Sequence, residues 1–186
     1  MKGTFEVLFI VYFAIEIYIL RQLYLKKNHI NFKQVKNNFI TAIILLLIIY
    51  FFKIDIPFLI LIFCIIALLI SSYFGYFRDY FNRPKHFDRY LHGYGTFTFS
   101  LLFYFFIINF VQSGGSNAFR ALFILFLGIA IGAIYEIIEF HTDSKQKNLI
   151  TGRSAMQKGL RDTDFDLIFN FMGSICGALF AYFFYF

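Results

Sequence analysis

Apolar residues run along this chain in long, nearly unbroken blocks rather than in the alternation of exposed strands. Each block has about the length a helix needs to cross a ~30 Å hydrocarbon core, roughly 20 residues. Six can be drawn, at about residues 4 to 21, 37 to 53, 56 to 77, 93 to 112, 118 to 140 and 165 to 186. The pattern predicts an all-α, polytopic integral membrane bundle of about six transmembrane helices, one domain over residues 1 to 186, and it does not fit the alternating strands of a membrane barrel. The second block is the shortest. Its strictly apolar part, FITAIILLLIIYFF, has 14 residues, so spanning requires Lys36 and Lys53 to snorkel or the bilayer to thin. KIDIP then reads as a tight turn with Pro57 opening the third helix, and QSGGSN as the turn between spans four and five.

Composition agrees with the pattern: 60% of the residues are hydrophobic, 15% are charged, and the mean hydropathy is +0.69. A net charge of +6 raises the question of nucleic acid, but the placement of the charges answers it. Arg21, Lys26, Lys27, Lys33 and Lys36 follow span one; Arg78, Arg83, Lys85 and Arg89 follow span three; Lys145, Lys147, Arg153, Lys158 and Arg161 follow span five. The other side holds Lys2, Lys53 and Arg120. Such a bias puts the three basic loops in the cytoplasm and both termini outside, and it needs no nucleic-acid partner. The first block follows Met-Lys-Gly, lacks a small-residue cleavage site and ends in RQLYLKK, which reads as a retained anchor. Cys64 and Cys176 sit mid-block and read as small packing residues rather than a disulfide or zinc ligands.

With that topology, acidic residues from three segments meet at one membrane face. HFDRYLHGYG enters span four, YEIIEFH leaves span five, and RDTDFD enters span six, bringing Asp88, Glu136, Glu139, Asp162, Asp164 and Asp166 together. Asp88 and His92 are four apart, Glu136 and Glu139 three, and Asp162, Asp166 and Asn170 form a ladder of four, so each set lies along one helical face. Helical bundles assemble metal sites from such facing sets. So many carboxylates near lipid require a counterion, meaning that some carry protons or a cation binds. An oxygen-rich set with one or two imidazoles suits a divalent cation such as Mg²⁺, Mn²⁺ or Fe²⁺ better than structural zinc.

Structural roles compete with this reading. Asp162 or Asp164 can cap span six, and Asp88 span four. Glu136 and Glu139, at the C-terminal end of span five, oppose the helix dipole and need partners; Arg89, Arg153 and Arg161 are available for ion pairs that merely fasten helices. Glu16 lies about 7 Å inside the interface marked by Arg21 and can join the site or snorkel to water. Glu6 lies near the opposite face, His86 and His141 flank the constellation, and His29 stands in a basic loop. Gly128 with Gly132, and Gly173 with Gly177, are GxxxG pairs whose usual meaning is close helix packing.

FDRYLH, YEIIEF and QKGLRDTDFD, in that order, resemble the motifs of the YjdF-like family of bacterial inner-membrane proteins, a group without an established activity. The motif-bearing segments span residues 87 to 170; spans one to three match in hydropathy only. The family pattern carries over onto Asp88, Arg89, His92, Glu136, Glu139, Asp162 and Asp166, while His86, His141 and Asp164 fall outside it. The resemblance implies a multi-pass protein of the bacterial inner membrane. The tail, through Arg161, Asp166, Asn170 and Gly173, also resembles VanZ-like membrane proteins, which implies an envelope-related role by analogy only.

Three functions compete. In the first, Asp88, His92, Glu136, Glu139, Asp162 and Asp166 bind one or two divalent cations and Arg89 holds an anionic lipid headgroup. Glu136, Asp162 and Arg89 then form the catalytic set of an enzyme acting on a lipid or polyprenyl phosphate at the inner leaflet. No GxSxG, HExxH or P-loop accompanies it. The second is a cation or proton transporter using the same acids. The third is a structural or regulatory protein with ion-paired helices and basic loops on anionic lipid.

Overall fold

In a computed structural model the described residues are 2–81, 86–111, 115–146 and 159–186, with side chains described from Val7 onward and, on the fifth helix, as far as Thr142. They form six membrane-length helices and, among the described residues, no strand. These are α1 (Lys2–Leu25), α2 (His29–Phe51), α3 (Phe58–Leu69) running on into a π-helical segment (Ile70–Phe77), α4 (Phe87–Ile108), α5 (Asn117–Gln146) and α6 (Leu160–Phe184). All six are long and apolar enough to span a bilayer.

The boundaries differ from the sequence expectation where polar residues continue a helix. α2 begins at His29 rather than near 37, capped by Asn28, whose Oδ1 accepts from the Asn31 N–H at 3.1 Å. It therefore reaches 23 residues and does not depend on its short apolar stretch alone. α4 starts at Phe87, which makes Asp88 and His92 helical, and α5 runs on to Gln146. Pro57 is the N-cap of α3. The π-helical segment was not foreseen; no composition signal marks it.

Contacts group into two compact units, Met1–Phe87 and Asp88–Phe186, each described by itself. In the first, α1, α2 and α3 pack around two apolar clusters, one on Tyr12, Ala42 and Ile65, the other on Ile19, Leu23 and Val35. Asn31 Nδ2 donates to the Tyr76 carbonyl at 2.8 Å, tying α2 to the π segment. Cys64 is buried here, as a packing residue should be. In the second unit α4, α5 and α6 pack closely, and Asn117 Nδ2 donates to the Phe186 carbonyl at 2.7 Å, joining the start of α5 to the end of the chain. Cys176 is exposed on α6, so the packing role read for it does not hold.

Candidate metal centre

The C-terminal unit reverses the usual arrangement of a helix in water. Along YEIIEF of α5, Glu136 is 4% exposed while Ile137 is 63% exposed, and Ile138 and Phe140 also face outward. An apolar exterior suits lipid, and it turns the carboxylates toward α4 and α6. Three ladders with a step of four build the interior: Asp88, His92 and Thr96 on α4; Gly128, Gly132 and Glu136 on α5; Asp162, Asp166, Asn170 and Ser174 on α6. A step of four keeps each ladder on one helical face.

Small residues bring these faces together. A Cβ on Gly173 would fall on the Gly93 carbonyl oxygen, and one on Gly132 would lie 2.7 Å from Asn170 Cβ, so α6 meets the backbone of α4 directly and lays the Asn170 side chain against the backbone of α5. Both GxxxG pairs thus serve the close packing expected of them. The polar ends of the ladders then have to share one space.

His92 stands at its centre, 7% exposed. Its Nδ1 lies 3.4 Å from Glu136 Oε1, and its Nε2 lies 3.7 Å from Glu139 Oε1 and 3.8 Å from Asp88 Oδ1. The two Nε2 distances exceed hydrogen-bond length, and Nε2 has no hydrogen-bond partner although it is buried. Asp166 Oδ1, on a residue 2% exposed, is in the same condition. Two overlapping sets, Asp88–His92–Asp166 and His92–Glu136–Glu139, each offer one donor atom per residue within 4.8 Å of one another and could hold a metal ion.

Asn170 braces the imidazole. Thr96 Oγ1 donates to Asn170 Oδ1 at 2.6 Å, and Asn170 Nδ2 lies 3.4 Å from His92 Nδ1. The Ser174 hydroxyl donates back to the Asn170 carbonyl at 2.8 Å. Thr96 was missed in the sequence, and Gly132 was read only as half of a GxxxG packing pair; the signal was there, since both continue a ladder of four toward the helix interior. At the edge, Arg89 Nη2 lies 3.6 Å from Asp162 Oδ1 and its guanidinium sits 4.2 Å from the centre of the Phe165 ring.

The sequence-predicted residues therefore divide. Asp88, His92, Glu136, Glu139 and Asp166 come together; Asp162 stands outside both metal-capable sets and faces Arg89. Asp164, His86 and His141 are exposed, as is Arg161 beside Phe165. The N-cap of α6 is Gly159, not an aspartate, although Asp162 does lie in the first turn where the dipole favours it. The dipole argument against Glu136 and Glu139 also changes, because α5 runs on: Glu139 lies about 10 Å from the helix end, beyond the last turn where the dipole acts. What demands compensation is burial. Arg83, Lys85, Lys147, Arg153 and Lys158 lie outside the described residues, as do the side chains of Glu6 and Lys145.

Residues 5–185 match the family described as "Predicted membrane protein (DUF2238)". An uncharacterised protein of Thermotoga maritima is 30% identical over 116 residues, which cover 62% of this chain and 58% of that protein. No solved structure matches.

Proposed function

The chain belongs to the DUF2238 family of predicted membrane proteins, and we propose that its C-terminal unit is a membrane-embedded divalent-cation site. The observation that carries this reading is the spacing around His92. Carboxylate oxygens of Glu139 and Asp88 stand 3.7 and 3.8 Å from its Nε2, too far for hydrogen bonds. A cation at about 2.1 Å from each ligand would hold adjacent donors about 3.0 Å and opposed donors about 4.2 Å apart. The separations in the site fall between these values.

The roles follow from the imidazole. A proton on Nδ1 directed at Glu136, with the Asn170 amide then packed against the ring rather than donating to it, leaves the Nε2 lone pair facing Asp88 and Glu139, the carboxylate–histidine–metal arrangement that orients a ligand and strengthens it. His92, Asp88, Glu139 and Asp166 are then the ligands and Glu136 orients the ring. A mostly oxygen set with one imidazole suits Mn²⁺ or Fe²⁺ ahead of Mg²⁺. An imidazolium could offset only one of these carboxylates, so a divalent ion also answers the charge problem.

The reaction class this site would serve is metal-assisted chemistry on a phosphate-bearing lipid. The cation would polarise a phosphoryl oxygen or activate water, and Arg89, beside Asp162 at the edge, would meet the anionic headgroup. With the basic loops inside, that headgroup belongs to the cytoplasmic leaflet of a bacterial inner membrane. The YjdF-like resemblance is taken as the finer reading of the family and adds no activity.

The test is metal content and thermal stability of detergent-purified protein beside Asp166→Asn, Glu139→Gln and the exposed control Asp164→Asn, with Mg²⁺, Mn²⁺, Fe²⁺ or Zn²⁺. Bound metal in wild type and control, with stabilisation of about 2.7 kcal/mol at a hundredfold excess over Kd that both site variants lose, is expected. Equal metal response in all four proteins, or none in any, overturns the reading.

A further inference from the structure

The N-terminal unit contains a second buried carboxyl group that the metal reading does not use. Glu16 is 0% exposed on α1, about 7 Å along the axis from Arg21 and about 14 Å from the helix end at Leu25. It does not snorkel to water. Its chemical surroundings are unlike those of His92: the groups acting on it are the hydroxyls of Tyr12, one turn before it on α1, and Ser72 of the π-helical segment. Neither makes a well-directed hydrogen bond to either carboxyl oxygen, and the Tyr12 hydroxyl is likewise without one.

The polar string runs on into α2. Asn38 Nδ2 of α2 lies 3.3 Å from Ser72 Oγ and 3.4 Å from Ser71 Oγ, donating toward both. Ser72 itself is fully buried. It reaches this position from a backbone that has left α-helical geometry over Ile70–Phe77, and π-helical turns within helices are rare and concentrate at functional sites. Two independent features coincide here: an acid buried in a span, and an irregular helical turn aimed at it.

We propose that Glu16, with Tyr12 and Ser72, forms a proton-binding site within the membrane-spanning part of the N-terminal unit. The occupant follows from an inventory of groups. A lone carboxylate buried in an apolar surround is strongly disfavoured unless a positive charge meets it, and neither Tyr12, Ser72 nor Asn38 supplies one. A Ca²⁺ or Mg²⁺ ion needs six or more oxygen ligands, whereas two hydroxyls flank this carboxyl group, and one of them is already engaged with Asn38. A proton needs one oxygen. The resulting acid O–H can donate to a neighbouring hydroxyl oxygen, and the Tyr12 hydroxyl can donate to the acid carbonyl, so the donors and acceptors balance. Ionisable residues inside a span mark proton or ion paths, and this one is built from all three helices of its unit.

Infrared difference spectroscopy tests it. The spectrum of wild type minus Glu16→Gln, in detergent at neutral pH, should show a carboxylic-acid C=O stretch, while wild type minus Asp166→Asn shows a different band or none. Carboxylate bands in the Glu16 difference at neutral pH, or an acid band that Na⁺, K⁺ or Mg²⁺ abolishes, overturn the proposal, the latter by naming a metal cation as occupant. Gln is isosteric with the neutral acid, so Glu16→Gln should fold. If it does not, wild-type protein is treated with dicyclohexylcarbodiimide, which modifies protonated carboxyl groups in apolar surroundings, and the adduct is mapped by mass spectrometry. Labelling at Glu16 that declines as pH rises supports the site, and no labelling at any pH refutes it.

Discussion

Replacing Gly132 by alanine adds one methyl group to α5 and tests how the second unit holds His92. The new carbon would lie 2.7 Å from Asn170 Cβ, 2.8 Å from its Cγ and 2.9 Å from its Nδ2. Ordinary carbon contacts are about 3.5–4.0 Å, so Asn170 must retreat by about 1 Å. Overpacking of this size costs about 1–3 kcal/mol. Breaking the 2.6 Å Thr96–Asn170 bond costs about 1 kcal/mol more, and the better helix propensity of alanine returns about 0.5–1 kcal/mol. The net destabilisation is about 1–3 kcal/mol, or about 2–12 °C in Tm for a chain of this size. Gly95→Ala is the matched control, since a Cβ there meets nothing within 4 Å and only the propensity gain remains. Thermal loss of helical circular dichroism in detergent reads both. A second readout is metal-dependent stabilisation, which Gly132→Ala should weaken because Asn170 no longer steadies the imidazole. Adding Asn170→Gly should recover part of the lost stability by making room, without restoring the metal response. A Gly132→Ala protein that melts with Gly95→Ala would refute the reasoning, because Asn170 could not then be packed against α5 as described.

Two further outcomes follow from the same geometry and from the charge bias. Gly173→Ala drives a methyl into the Gly93 carbonyl, and backbone cannot rotate away as a side chain can, so its yield of folded protein should fall below that of Gly132→Ala, read by size-exclusion chromatography of detergent extracts. A topology reporter fused after Phe186 should work only outside the cell, as the basic loops require; cytoplasmic activity would reverse the assignment of every loop and of the leaflet the metal site faces.

Much of the second unit was legible before any coordinates. HFDRYLH, YEIIEF and RDTDFD place acids at intervals of three and four, and helical periodicity alone puts each set on one face. The hydropathy blocks announce the spans, because in a bilayer the backbone must satisfy itself within each helix. Boundaries were harder. Residues 29 to 36 and 87 to 92 are polar enough to read as loop, yet they form the first turns of α2 and α4, because elongation adds a hydrogen bond at each residue, whereas starting at the apolar block would leave its first N–H groups without helix partners next to the hydrocarbon.

What the sequence determined by itself was therefore the class, the six spans and the candidate acids, since these depend on composition and period. Only the tertiary structure decided which acids share a space. It separated Asp162, turned toward Arg89, from Asp166, turned toward His92, although both lie on one ladder. It recruited Thr96 and Gly132, whose significance rests on what a neighbouring helix brings to them. It also set Glu16 between Tyr12 and Ser72 by a change of helical pitch over Ile70–Phe77 that the hydropathy pattern does not announce. Periodicity records the direction a side chain leaves its own helix; its partner is fixed by packing between helices, which a single sequence does not encode locally.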